Sequence, residues 1–524
     1  MKALLTTILI ASLAVSSFGQ AKSKQASVNW GPIHKISKKE RLKGIVGYGN
    51  DHVYLLYVRY RTLASTKYSI KAYNNKLQPT RESEFELDYK GNSLFFEKSI
   101  QLDGKVFLFS SYINKKQKKN YLFVQEIDDK RLRPSKEIKK VAEIDFSGKW
   151  NINSGEFKFD YSIDSSRILV YYDLPYDKQE NEKFGLHVLD KEMNTMWSRE
   201  VTIPIKEKLA SIEDFTISNQ GNVYVLVKKY DKKAKEKRKG EVNYSYVLLG
   251  YRENNDQVSE LSITLGDLYL KQMGIAVNPE EEVICVGFYN DEKEDELDGS
   301  FYLRMNGETG EALSKNYQPF SEDFLLGHNT ERFEKKKKKK LSKGKDLYIP
   351  EFKTKAIILH ADGSVISVSE DSYVTVLTQT TPEGQVSQTN FFHDNNIAII
   401  KIQPSGEIEW SKRITKYQYV RTNDYNSFAL FPHKDKLHFI YNDNPENLFA
   451  GKRDPYAYLT NPRKSQLVIV TMEPNGEQEK GFLSSSKESK VIGRPVEVVK
   501  VSDDQALILG TWGRKNRLGT INFK

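Results

Sequence analysis

The chain closes on Gln505-Ala-Leu-Ile-Leu-Gly-Thr-Trp-Gly-Arg-Lys-Asn-Arg-Leu-Gly-Thr-Ile-Asn-Phe523, two strands joined by a tight turn. They read as the middle of a four-strand repeat that then stops. The element needed to complete it stands at the other terminus, in Val28-Asn-Trp-Gly-Pro-Ile-His-Lys-Ile36. A repeat divided between both termini suits a closed ring, because pairing the first strand with the last repeat removes an open sheet edge that would template aggregation. The expected fold is all-β: a single closed β-propeller over residues 28–524, its N-terminal strand completing the last blade, with a short segment, 20–27, ahead of it.

The rest of the chain agrees with that reading. Apolar residues alternate with period two along its length, a sustained helical period is missing after the first twenty residues, and 30 Tyr with 26 Phe supply side chains suited to half-buried pleated surfaces. Units start near Gly44, Leu94, Glu156, Ser211, Tyr269, Lys355, Asn426 and Pro495. That gives about eight four-stranded blades, or seven if the irregular second and fifth units are merged with their neighbours. The clearest unit has strands at Lys355–His360, Ser364–Ser369, Asn396–Ile402 and Glu407–Ile414. Trp197 and Trp410 share one repeat position, to which Trp30 is also assigned, and all three are expected to pack between neighbouring blades.

The run Ile397-Ala-Ile-Ile-Lys-Ile-Gln-Pro-Ser-Gly-Glu-Ile-Glu-Trp410, followed by Lys436-Leu-His-Phe-Ile-Tyr-Asn-Asp-Asn444, resembles uncharacterised secreted propeller proteins of Bacteroidetes-type bacteria. The Gly-Glu-x-x-Trp ending is more distantly similar to quinoprotein-type repeats, including those of outer-membrane assembly lipoproteins. These resemblances imply the fold and transfer no catalytic residues. The lipid-accepting cysteine of the assembly lipoproteins has no counterpart here.

Residues 1–19 combine Lys2, an apolar run from Ala3 to Val15, and the small residues Ser17 and Gly19, the pattern of a cleaved secretory signal peptide. The run is shorter than the ~20 apolar residues that cross a bilayer, so the mature chain is expected to be exported, in the periplasm or outside the cell, including association with the cell surface. The single cysteine, Cys285, sits in a strand and excludes an internal disulfide or a CxxC metal site. With 80 basic and 70 acidic side chains, global charge does not announce nucleic acid binding.

Loop lengths point to a working face. Connections between strands one and two, and between three and four, are short; the long insertions fall between strands two and three or between units, and in an up-down blade those two classes emerge on the same side. Three insertions are basic: Lys115, Lys116, Lys118 and Lys119; a stretch from Lys228 to Lys239 that includes Lys232 and Lys233; and one holding Lys335, Lys336, Lys337, Lys338, Lys339 and Lys340. They read either as a docking surface for an anionic envelope component or acidic protein, or as solvated loops. Apart from Tyr230 they lack interleaved aromatics for base stacking, which argues against nucleic acid.

A second candidate site gathers Glu370, Asp371 and Tyr373 with Tyr417, Gln418, Asn442, Asp443 and Asn447 from loops of adjacent units. Their carboxylates, amides and phenols suit a polar ligand, or offer hard oxygens to calcium, the one cofactor considered. Against this, Tyr289-Asn-Asp291 repeats the Tyr-Asn-Asp of residues 441–443 at the equivalent strand end, as a turn-shaping motif would. Nucleophile-elbow, zincin and phosphate-loop motifs are absent, and the close pair His433 and His438 is too little for a metal site. The expected function is a non-catalytic exported propeller that binds a protein or envelope component through its long-loop face. The alternative is a hydrolase or lyase acting on a polysaccharide or peptide, with Glu370, Asp371 and Asp443 as acids and bases.

Overall fold

A computed structural model describes residues 22–524 except 50, 61–65, 147–154, 175–178, 236, 239–240, 292–296, 328–334, 336–337, 340–350, 381–384 and 452–453. The proposed signal segment, Lys336, Lys337 and Lys340 lie outside the described residues. The chain is a β-propeller. The described residues build eight antiparallel sheets of four or more strands, here numbered 1 to 8 in chain order. Within sheets 1 to 7 the strands follow one another as an up-and-down meander, beginning at Glu40, Phe95, Phe157, Ala210, Tyr269, Lys353 and Ala429. These first strands lie innermost: those of sheets 3, 4, 5 and 6 pack side by side and line a central channel of about 300 Å³.

The middle strands are apolar on both faces because each sheet is covered on both faces by its neighbours. Gln466–Met472 is buried at every residue, and Ile168–Asp173 at all but its last. Side chains from successive sheets interlock in discrete clusters, such as Leu186, Val188 and Trp197 of sheet 3 with Val223, Val225 and Val227 of sheet 4. The series closes on itself: Leu55, Tyr57, Tyr73 and Leu77 of sheet 1 form one cluster with Leu507, Leu509 and Leu518 of sheet 8. Cys285 is buried inside the cluster between sheets 4 and 5, where burial, followed by the charge of Asp214, pushes its thiol up to about 12.

Sheet 8 is completed from the other end of the chain. Ala26–Trp30 pairs antiparallel with Lys515–Phe523, from Ala26 opposite Phe523 to Trp30 opposite Gly519, and His34–Lys35 pairs with the start of the same strand. The completing strand thus begins two residues before the expected Val28. Arg517 ties the junction, donating from Nε to the Gly31 carbonyl at 2.6 Å and from Nη1 to that of Ser489 at 2.8 Å.

The assignment of Trp30 to the position of Trp197 and Trp410 is corrected by register. Trp197 and Trp410 pair with the penultimate residues of their neighbouring strands, Val188 and Lys401, whereas Trp30 pairs with Gly519, three residues further along. An odd offset turns a side chain to the opposite sheet face. Accordingly Trp197 and Trp410 donate forward, to the carbonyls of Gly221 and Pro474 in the next sheet, while Trp30 donates back to Ser484 Oγ of sheet 7.

The long connections share one side of the ring, as expected from their placement between strands two and three and between sheets. One of them is not a loop. The second and third strands of sheet 6, expected to be short, run as Val365–Thr380 and Val386–Ile402 and stay paired to their tips. Their outer halves form a two-stranded arm reaching about 30 Å beyond Glu370 at ~3.3 Å per residue.

Removing residues 22–36 uncovers the hydrogen-bonding edge of Lys515–Phe523 and the Trp30 contact with sheet 7. The truncated protein is expected to aggregate on expression or to melt far below the parent by calorimetry; an unchanged melting temperature would contradict closure by this segment.

Candidate functional site

The residues singled out in sheets 6 and 7 converge, but inside the protein. A bulge between Glu370 and Ser372 breaks the strand alternation where the arm leaves the sheet, and turns Glu370 inward. There it is fully buried, and the connection after Ile408–Ile414 brings Lys416 and Gln418, equally buried, against it. Lys416 Nζ donates to Glu370 Oε1 at 2.8 Å, to the Asp394 carbonyl at 2.6 Å and to Gln418 Oε1 at 2.9 Å. Glu370 Oε2 receives Ser427 Oγ at 2.7 Å and faces Lys355 Nζ at 3.2 Å. Gln418 Nε2 passes the chain of bonds to the Asn442 carbonyl at 2.8 Å, and Asn395 joins Asp371 to it through Asp371 Oδ2 at 3.2 Å. Asn442 Nδ2 donates to the carbonyls of Tyr425 and Gly493, both at 2.8 Å, linking sheet 7 to sheet 8.

Asp443 heads an adjoining group. Its Oδ2 receives Tyr456 OH at 3.0 Å and the Lys480 ammonium, and its Oδ1 receives Asn447 Nδ2 at 2.8 Å. Asn447 Oδ1 in turn accepts from the Ala457 amide at 2.7 Å, pinning the loop between the second and third strands of sheet 7.

The electrostatics follow from these contacts. Burial would raise the Glu370 carboxyl, but the charges of Lys416 and Lys355 and hydrogen bonds from Lys416 and Ser427 outweigh it and hold it below the usual carboxylate range. Asp371 has only weaker help, so burial lifts it to about 6. The nominated calcium oxygens of Glu370 and Asp443 are therefore already engaged by ammonium groups. Tyr417 packs edge-on against Tyr456 at 5.8 Å and stacks on Tyr458 at 4.9 Å. Tyr373 is on the arm, stacked on His393 at 4.3 Å.

The basic insertions are less uniform than their sequence. Lys115, Lys116 and Lys118 form the exposed turn between the second and third strands of sheet 2, but Lys119 is clamped by Glu143 at 2.6 Å and Asp145 at 3.0 Å. Lys228 is buried, its ammonium 4.0 Å from the Tyr244 ring centre. Lys232 and Lys233 are exposed, and Lys338 pairs with Glu322 at 3.2 Å. His433 and His438 each engage a neighbour through Nδ1, the Asp503 carbonyl at 2.7 Å and Thr471 Oγ1 at 2.9 Å. Among the described residues no group of three or more metal-ligating side chains converges.

Three features escaped the sequence reading. A cleft of about 620 Å³ lies between sheets 1 and 2 on the short-turn side, with Val46, Tyr54, Val106 and Ile127 among its lining residues and Glu126 and Asp129 among its acids. In the channel, Asp214 accepts from the Ile275 amide of the next sheet at 3.0 Å, and burial lifts it to about 6. The third is the arm's surface. Tyr373, Val374, Val376, Leu377 and Val386 are 46, 51, 54, 47 and 62 % exposed. Consecutive residues point to opposite faces, so both faces of the ribbon are bare. The signal was present: no charged residue occurs from Ser372 to Pro382, in a chain that is 29 % charged.

No family model and no curated protein matches the chain. Solved structures do match it. It is similar to the β-propeller domain of the Trilobed protease from Pyrococcus furiosus, at 12 % identity and TM-score 0.36, over 85 % of this chain and 96 % of that one. It is also similar to the WD40 domain of SCAP from fission yeast, at 7 % identity and TM-score 0.39, over 96 % and 99 %. A third is the polysaccharide lyase Uly1, at 10 % identity and TM-score 0.35, over 94 % and 100 %.

Two substitutions test the buried network. Lys416→Met leaves Glu370 deprived of its main partner and is expected to cost about 3–5 kcal/mol of unfolding free energy, with Glu370→Gln added to it recovering part of the loss. Asp371 has a raised folded pKa, so its stabilising contribution is present below about pH 4 and is lost as pH rises through about 6. Asp371→Asn should therefore stabilise the protein at pH 7 by about 1–2 kcal/mol and have little effect at pH 4, read by denaturant titration.

Proposed function

We propose that the protein is an exported, non-catalytic propeller that binds a protein or cell-envelope component through its long-connection face, and that the arm of sheet 6 makes the main contact. The carrying observation is the ribbon itself: two uncharged strands with apolar side chains exposed on both faces. Soluble proteins ordinarily protect such edges with charge, proline or a covering element. Retaining a bare one suits recognition by strand addition, in which main-chain hydrogen bonds give affinity and alternate side chains give selectivity. Tyr373 and Tyr417 are the nominated residues placed to touch a partner. Glu370, Asp371, Gln418, Asn442, Asp443 and Asn447 serve by fixing the arm's root and the neighbouring loop. The exposed lysines of the other long connections add long-range attraction to an anionic partner.

The acid-base reading loses support because Glu370 and Asp443 are each committed to a lysine, with no bare carboxylate pair between them. The affiliation with secreted Bacteroidetes-type propellers, and the weaker one with quinoprotein-type repeats, belongs to the same proposal.

Val374→Glu with Val376→Glu is expected to abolish recovery of partners from native envelope extracts while moving the melting temperature by no more than about 2 °C, as for exposed sites. Replacing Lys335–Lys340 by Ser should leave recovery in place at high salt and weaken it at low salt, where charge attraction reaches furthest. Unchanged recovery by the glutamate variant would overturn the arm as the contact.

A further inference from the structure

Arg413 lies in the outer strand of sheet 6, at the edge of a groove of about 540 Å³ between that strand and sheet 7, bordered by the short helix Glu322–Leu326. Of the five N–H donors of its guanidinium, one makes a hydrogen bond among the described residues, a long one of 3.4 Å from Nη2 to the Leu325 carbonyl. Its Nε is buried and has no partner, and no ion pair reaches the group among the described residues. The plane lies 5.6 Å from the Phe324 ring centre. Room for it is made by Gly327, in the left-handed region at φ 54°, where a Cβ would come within 1.7 Å of Nη2. Burial pulls the guanidinium's pKa down, and the nearby charges of Tyr417 and Asp371 offset only part of that.

The lining adds to this. Lys412, on the opposite face of the strand and packed toward Gly476 of sheet 7, also lines the groove and lacks an ion pair among the described residues, and Lys480 is already neutralised by Asp443. Asp323 is the single acid of the lining among the described residues, where it forms no ion pair with either cation. The remaining described lining is mixed, with Phe324, Ile414, Leu448 and Val470 as its apolar part beside polar groups such as Thr415, Asn447 and Gln478. An arginine fork with a buried, unsatisfied Nε and no ion pair among the described residues, next to apolar side chains, matches a carboxylate on an apolar or aromatic body.

We propose that this groove binds such an amphiphilic carboxylate, with Arg413 gripping the carboxylate, Lys412 adding charge and the apolar side chains receiving the apolar body. A small free acid and a peptide's C-terminus ending in an apolar residue share that chemistry. The site adjoins the root of the arm, since Arg413 pairs with Ala398 of the arm's second strand and lies near Asp371.

The test is calorimetric titration of the full chain with phenylacetate, with N-acetyl-Ala-Ala-Phe and with the C-terminal amide of that peptide. Binding of phenylacetate alone would identify a small-acid site, and binding of the peptide acid would identify capture of a chain end. In either case the amide should bind at least tenfold more weakly, Arg413→Gln should lower affinity by about tenfold to a hundredfold, and Arg413→Lys should fall between. Equal binding of acid and amide, equal binding by folded Arg413→Gln, or no binding of either acid at 10 mM would each overturn the proposal. The acid-against-amide comparison uses the unaltered protein and holds even if the variants fail to fold.

Discussion

Everything in this molecule depends on the pairing of Ala26–Trp30 with Lys515–Phe523. Each sheet is apolar on both faces and survives in water only between two neighbours, so the row of sheets has no tolerable end. Bending the row until sheet 8 meets sheet 1 covers the faces, through Tyr57 and Leu77 on one side and Leu507 and Leu518 on the other. Lending the N-terminal strand to sheet 8 then makes that closure hard to reverse, because opening the ring requires breaking a strand ladder as well as a packed interface.

A closed ring also decides where chemistry can sit. Sheet faces are spent on packing, which leaves the channel, the two rims and the outer edges. The polar side chains near sheets 6 and 7 illustrate the consequence: Glu370, Lys416, Gln418 and Asn442 are among the most buried polar residues, and they act as a bonded frame. Replacement of such a frame by apolar side chains can be neutral for stability, so its value lies in fixing geometry. Here the geometry fixed is the root of an arm and the loop next to it. The groove beside Arg413 differs in kind, since among the described residues its guanidinium makes one long hydrogen bond and no ion pair.

The architecture was legible because period-two alternation and the divided repeat are local features, and the strand starts at Tyr269 and Phe157 fall within a residue of their expected places. Trp30 misled because its role depends on register, and an offset of three residues reverses the face without altering the local motif. The arm was hidden for a related reason. A paired ribbon and a polar insertion differ in what they hydrogen-bond to, and Thr and Gln between Val and Leu fit both. The candidate site was legible as a set of residues that meet, but not as a buried set. Burial was decided by Lys416 and Lys480, ordinary lysines in sequence that lie near their acids only once the sheets have packed.

Ring closure is tested most directly by a disulfide between residues 28 and 521. Val28 and Ile521 face each other in the terminal pair, between the hydrogen-bonded neighbours implied by the Gly31-to-Leu518 and Lys524-to-Gln25 bonds, a spacing a disulfide can span. In Val28→Cys/Ile521→Cys protein, mild oxidation should link the two peptides in high yield by mass spectrometry, while the off-register Asn29→Cys/Ile521→Cys control links poorly. Failure of the 28–521 link to form, or equal yields from both pairs, would contradict a ring closed by its own first strand.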